Sequence, residues 1–185
     1  MKIGIYGGSF NPIHFGHIGL VRWVIEHTDL DEVWLMVSPN NPLKDKSILA
    51  DEQERLRDAK VATEALPTFL EGKRKSKRIV VSDFEFHLPR PTYTANTLRA
   101  LQEVYPEHEF TLIIGEDNLE IFDQWREFQY ILRNYRIFVY PRRNITSETN
   151  HQREAILREA TNVQLLTDAP YFDISSTELR KNLHN

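Results

Sequence analysis

Residues 3–20 read Ile-Gly-Ile-Tyr-Gly-Gly-Ser-Phe-Asn-Pro-Ile-His-Phe-Gly-His-Ile-Gly-Leu. The apolar run from Ile3 to Tyr6 has the character of a buried strand. It gives way at Gly7-Gly8, where the missing Cβ permits unusual dihedrals or close backbone approach. Ser9, Asn11 and Pro12 follow, residues that favour loops and helix starts. A helix beginning near Ile13 would set His14 and His17, three apart, on one face of its first turn. Strand, bend and helix N-terminus together make an anion site, because unpaired N–H groups and the positive end of the helix dipole both favour phosphate. Two imidazoles added there can donate hydrogen bonds to phosphate oxygens and to charge that develops during a reaction. A Gly-Gly pair alone is usually a plain turn, and a lone histidine at a helix start is usually a satisfied surface residue. The combination is what carries information. The GxGxxG and GxxxxGK[ST] patterns are both absent, which argues against an ordinary dehydrogenase and a P-loop NTPase.

Outward from this stretch, short apolar runs alternate with helical patterns. Strands are predicted at Val33–Val37, Ile79–Ser82, Phe110–Ile114, Tyr135–Tyr140 and Val163–Leu166. A helix is predicted from Asp51, with Glu54 in capping-box spacing, a stripe of Leu56, Ala59, Ala62 and Leu66, and a stop at Pro67. Thr94 or Asn96 should cap a helix carrying Leu98, Leu101 and Val104. Others are predicted at Phe128–Leu132, at Ser147–Ala160 and from Ser175. Runs this continuous suit strands covered on both faces, so the expected fold is α/β, a doubly wound parallel sheet.

The 185 residues fit one domain spanning 1–185, and 41% hydrophobic content argues against disorder. No apolar stretch approaches the ~20 residues that cross a bilayer, so no membrane partner is expected. Met1-Lys2 leads directly into strand-like sequence with no signal-peptide core, and cysteine is absent, both of which suit a cytoplasmic location. The net charge of −4 provides no general attraction to nucleic acid, and none is expected as partner. One basic run, Lys73, Arg74, Lys75, Lys77 and Arg78, reads best as a solvated loop entering a strand, since it lacks the aromatics a single-strand binder interleaves.

Ligands of such a sheet collect at the carboxyl ends of its strands. That rule gathers the Gly-Gly and His-His group, Ser38–Lys44, the loop holding Arg90–Thr94, Gly115–Asn118, and Ile174–Arg180. In the last segment Ser175, Ser176 and Thr177 offer hydroxyl and N–H donors at a helix start, with Arg180 one turn on. A plain capping box of Ser175 with Glu178 is the competing reading.

Gly7-Gly8-Ser9-Phe10-Asn11-Pro12-Ile13-His14-Phe15-Gly16-His17 resembles the signature of the HxGH nucleotidyltransferases, a branch of the Rossmann-like folds. Ile174-Ser175-Ser176-Thr177 with Arg180 resembles that family's second motif. Within the superfamily the chain is similar to the bacterial nicotinate-mononucleotide adenylyltransferases. The likeness rests on Gly7–Pro12, Pro39–Lys44, Thr92–Leu98, and Gly115–Leu119 followed by Trp125. It departs from them at Asn96, where many members carry Asp, and in its longer basic run.

The resemblance implies transfer of AMP from ATP to nicotinate mononucleotide, with release of pyrophosphate. His14, His17 and Lys44 would be the catalytic set, with Lys44 bridging the two phosphates. ATP would be held by Gly8, Ser9, Phe10, His14, His17, Gly115, Asp117, Ser175, Ser176 and Arg180. Nicotinate mononucleotide would meet Asn40, Lys44, Thr92, Tyr93, Thr94 and Trp125. In that set Trp125 stacks on the pyridine ring, Tyr93 and Thr94 present N–H groups to its carboxylate, and Thr92 adds a hydroxyl. Trp23 and Trp34 fall inside predicted elements and read as core. Mg2+ would ride on the ATP phosphates without a protein ligand. A homo-oligomer is allowed for. The alternatives are pantetheine-phosphate adenylyltransferase, a cytidylyltransferase, a non-catalytic nucleotide-binding regulator, and a class I aminoacyl-tRNA synthetase fragment. The last is disfavoured by the short chain and the absence of a KMSKS-like loop.

Overall fold

A computed structural model of the chain describes residues 1–39, 51–64, 77–142 and 150–171, with backbone alone at 150–153. Its centre is a six-stranded sheet: β1 (Lys2–Gly8), β2 (Glu32–Val37), β3 (Arg78–Ser82), β4 (Glu109–Gly115), β5 (Arg136–Tyr140) and β6 (Val163–Leu165). The strand order is β3-β2-β1-β4-β5-β6 and every pairing is parallel. The order reverses between β1 and β4, and there the connections leave on opposite sides and open a crevice. Between the strands lie α1 (Phe15–His27), α2 (Glu52–Glu64), α3 (Thr94–Val104), α4 (Glu116–Glu120), α5 (Phe128–Asn134) and α6 (Asn150–Glu159). Among the described residues no helix is long and apolar enough to cross a membrane.

The central strands are largely apolar because both faces are covered. Side chains alternate across a strand, and each set has its own core. Tyr6, Leu35, Ile113 and Phe138 pack with Leu20, Val24 and Ile25 of α1 and with Leu56 and Ala59 of α2. Ile5, Met36, Leu112, Ile114 and Val139 pack on the other face with Leu98 and Leu101 of α3 and Ile131 of α5. Trp34 packs against the second core with its ring edge-on to Tyr105 and Phe110, and Trp23 against the first.

Several expected boundaries shift. β1 runs through Gly7-Gly8, which pair with Met36 and Val37, so the bend comes later. The left-handed residue is Phe10, at φ 44°. Gly8 matters instead for close approach, since a Cβ there would meet the Phe10 ring at 3.1 Å. α1 starts at Phe15 with His14 as its cap, two residues later than expected. α2 buries Arg55, Leu56 and Ala59; Ala62 is half-buried, and Leu66 and Pro67 lie outside the described residues. Asp51 does start α2, its carboxylate accepting the Gln53 N–H at 2.7 Å. α3 is capped by Tyr93, which makes no side-chain cap bond, and neither Thr94 nor Asn96 caps it. Asn96 is exposed and accepts from Arg99 at 3.1 Å. From the basic run, Lys77 caps the end of α1 by donating to the carbonyls of Ile25 and Thr28, each at 2.7 Å, and Arg78 pairs with Glu32. Its earlier residues lie outside the described ones.

Arg55 joins the loops that leave β1 and β2. It is 2% exposed, and its guanidinium donates to the carbonyls of Ser9 (2.6 Å), Ser38 (2.8 Å) and Pro39 (3.0 Å). A planar fork of donors suits three carbonyls that no regular ladder satisfies. Replacing Arg55 by Met should strand those acceptors and lower the unfolding free energy by about 2–4 kcal/mol. Urea denaturation would show this as a lower midpoint at unchanged slope; a midpoint equal to wild type would refute the role.

Candidate active site

A cavity of about 630 Å³ opens at the carboxyl ends of β1, β2, β4 and β5. Its walls carry every sequence-predicted site residue among those described: Gly8, Ser9, Phe10, His14, His17, Thr92, Tyr93, Thr94, Gly115, Asp117 and Trp125. Asn40, Lys44, Ser175, Ser176 and Arg180 lie outside the described residues.

One end is built by the loop from β1 to α1. Phe10 is buried and meets Tyr6 at 5.6 Å and His17 at 5.1 Å, both edge-on. Its left-handed backbone costs about 1–2 kcal/mol for a residue with a Cβ, and the aromatic contacts hold it there. The His14 and His17 rings stack with centroids 3.7 Å apart. The His14 N–H donates to His17 Nδ1 at 3.2 Å, so a neutral His17 carries its proton on Nε2. Burial and the nearby Arg142 push His14 down from 6.5 to about 4, which keeps it neutral at pH 7.

Arg142 is the cation that the sequence reading passed over. It leaves the end of β5, lines the cavity, and lies 5.6 Å from the centre of the Tyr140 ring. Asp117 Oδ1 stands 3.7 Å from its Nε, and its backbone N–H donates to the buried Glu116 carboxylate at 3.2 Å. Applying the strand-end rule to β5, as to the others, would have found it. Gly115 allows Asp117 to fold back, since a Cβ there would collide with the Asp117 carboxylate. Below, the buried Tyr6 and Tyr140 hydroxyls lie 3.4 Å apart, and burial holds the Tyr6 hydroxyl protonated.

The other end is the start of α3 with Trp125. Trp125 packs on Phe122 at 5.1 Å, and its buried indole N–H has no hydrogen-bond partner among the described residues. Arg126 sits 4.9 Å over the Tyr93 ring. The Thr92 hydroxyl, expected to face an acceptor, is instead buried and donates to Glu85 at 3.3 Å. Glu85 was not anticipated either; burial pushes its carboxyl above the usual carboxylate range, against the hydroxyls of Ser38, Thr97 and Thr92 that hold it down. Nothing local in Asp83-Phe84-Glu85-Phe86 marks it. Among the described residues no group of three or more His, Cys, Asp or Glu side chains could hold a metal ion.

The arrangement offers cationic and N–H donors at one end of a single cleft and an aromatic surface with a helix N-terminus at the other. It suits bringing two anions together.

Residues 5–182 match the cytidylyltransferase-like family. The chain is 43% identical over its full length to a protein of Flavobacterium psychrophilum named "probable nicotinate-nucleotide adenylyltransferase", covering 88% of that protein. A protein of the same name from Bacteroides thetaiotaomicron is 44% identical over 99% of this chain and 82% of its own. In fold it is similar to the nicotinic acid mononucleotide adenylyltransferase of Plasmodium falciparum, solved in complex with NaAD. The TM-score is 0.77 at 23% identity, covering 97% of this chain and 82% of that one. With its cleft at the switch between β1 and β4 and a relationship that runs the length of the chain, this protein belongs to the cytidylyltransferase-like family and, within it, to the nicotinate-nucleotide adenylyltransferases.

Proposed function

We propose that this chain transfers AMP from ATP to nicotinate mononucleotide, giving nicotinate adenine dinucleotide and pyrophosphate for NAD synthesis in the cytoplasm. The observation that carries the reading is one cleft that brings Gly8, Ser9, His14, His17 and Arg142 together with Tyr93, Thr94 and Trp125. An acceptor phosphate oxygen attacks the α-phosphorus of ATP in line, the bond to the bridging oxygen breaks, and pyrophosphate leaves with the electron pair. The protein supplies position and charge stabilisation; no nucleophile of its own is needed.

In this reading the β1–α1 loop, His14, His17 and Arg142 take the triphosphate, and His17 Nε2–H donates to charge that grows on the transferring group. Ser175, Ser176 and Arg180 complete the β- and γ-phosphate contacts, and Asn40 and Lys44 approach the acceptor phosphate. Gly115 and Asp117 take the adenosine side. Mg2+ arrives on ATP, since it prefers phosphate oxygens and water to an all-protein cage. At the far end Trp125 covers the pyridine ring, and N–H groups at the start of α3 read its carboxylate. Amide donors favour the anion over the carboxamide.

Purified protein offered ATP with nicotinate mononucleotide, its amide or phosphopantetheine should release pyrophosphate well over about tenfold faster with the acid than with the amide. Equal rates would remove the carboxylate reader, and preference for phosphopantetheine would replace the acceptor. His17→Ala should lower kcat by roughly 10²-fold with the fold retained, as for loss of one transition-state donor; full turnover would end the assignment.

His14 gives a pH test with a definite sign. The fold prefers its neutral form, so the stability it contributes is present above pH 6.5 and is lost as pH falls toward about 4. A bound triphosphate brings opposite charge and should raise the His14 pKa by about one unit or more. Ring-proton NMR titration with and without a non-hydrolysable ATP analogue measures both values. A His14 pKa that does not move on binding would place the triphosphate elsewhere.

A further inference from the structure

The reaction above gives Glu85 no task, yet this carboxylate is one of the most constrained groups around the cleft. It sits in a 3-10 turn (Phe84–His87) after β3, is 7% exposed, and lines the cavity. Its Oε1 accepts from the Thr97 hydroxyl at 2.8 Å and its Oε2 from the Thr92 hydroxyl at 3.3 Å. The Ser38 side chain, at the end of β2, hydrogen-bonds to it as well. A buried negative charge beside a cleft for anionic substrates opposes their binding, so its contribution must come through what it holds.

What it holds is the start of α3. Thr92 lies just before that helix and Thr97 in its first turn. Between them stand the N–H groups of the cap residue Tyr93 and of Thr94, which have no acceptor within the helix and belong to residues that line the cavity. Those of Asn96 and Thr97 go to the Tyr93 carbonyl at 2.9 and 3.0 Å. One carboxylate gripping a hydroxyl on each side of this turn fixes its height and rotation, and Ser38 references it to the sheet. Satisfied buried networks of this kind make a segment rigid.

We propose that Glu85 is a positioning residue for the acceptor: it clamps the N-terminal turn of α3 so that the Tyr93 and Thr94 N–H groups are aimed at the carboxylate of nicotinate mononucleotide. The inference rests on the placement of the acceptor at α3 given above. Glu85 touches no substrate in this scheme and takes no proton. The two hydroxyls it holds belong to the start of α3, so its loss weakens binding of the acceptor more than that of ATP.

The test measures KM for nicotinate mononucleotide, KM for ATP and kcat in wild type, Glu85→Gln and Thr97→Val, with thermal unfolding as control. Glu85→Gln keeps the shape but removes the charge and one acceptor oxygen. Thr97→Val keeps the volume and removes one hydroxyl. Each variant should raise KM for nicotinate mononucleotide roughly five- to twentyfold while leaving KM for ATP and kcat within about twofold, the pattern of lost binding of one ligand. Thr97→Ser, which keeps the hydroxyl, should restore the wild-type value. Unchanged constants, equal rises in both KM values, or a fall in kcat alone would overturn the inference. If Glu85→Gln fails to fold, Thr97→Val and Thr97→Ser decide it. A wild type that does not use nicotinate mononucleotide overturns the proposed function, and this inference with it; an active wild type with unaltered variants overturns the inference alone.

Discussion

Parallel pairing of β1 with β2 on one side and β4 on the other is the constraint from which everything else follows. A parallel sheet needs a crossover after every strand, and its helices cover both faces. All carboxyl ends therefore point the same way. Because the strand order turns back at β1, the loops after β1 and β4 diverge and leave a cleft between them. Residues as distant as Ser9, Thr92, Asp117 and Arg142 then line one cavity although they come from four separate segments of the chain.

The cleft's polar groups are held from beneath by buried side chains that have no chemistry to perform. Arg55 ties the Ser9 carbonyl to those of Ser38 and Pro39. The Ser38 N–H donates to the Gly8 carbonyl at 2.9 Å, and the Ser38 side chain reaches Glu85. Glu85 in turn holds Thr92 and Thr97. A line of hydrogen bonds thus runs along the cavity wall from the β1 loop to α3. Preorganisation of this sort fixes the donors before substrate arrives, so little reorganisation is left for the reaction itself. The same burial makes the site's electrostatics unusual: His14 is kept neutral beside Arg142, which avoids two adjacent positive charges.

Much of this was legible in the residues. The strands announced themselves because apolar runs such as Phe110–Ile114 have one meaning in a sheet buried on both faces. The HxGH stretch was legible because glycine, proline and histidine carry specific local consequences. The parts that escaped share a different character. Arg142 had to be found through its place at a strand end, and Arg55 and Glu85 sit in ordinary helix and loop sequence with nothing near them in the chain to mark burial. The Tyr93 cap was missed because Thr94 has the higher cap preference, whereas Thr92 and Thr97, on either side of the helix start, both bond to Glu85. The position of the bend was misplaced for a similar reason. Gly7 and Gly8 can adopt rare dihedrals, but pairing with β2 keeps them extended and passes the left-handed residue on to Phe10.

What the sequence determined by itself was the periodicity, and hence the layered α/β class, together with the identity of the groups able to meet phosphate. Both are local properties: they depend on side-chain alternation, helix spacing and the chemistry of single residues. Only the tertiary structure decided which side chains became buried and what they then bonded. The Thr92 hydroxyl turned inward to Glu85, His14 lost its charge, and Arg55 went under the floor rather than out to water. Those outcomes depend on desolvation and on partners far away in the chain, and neither quantity exists until the sheet has closed its two cores.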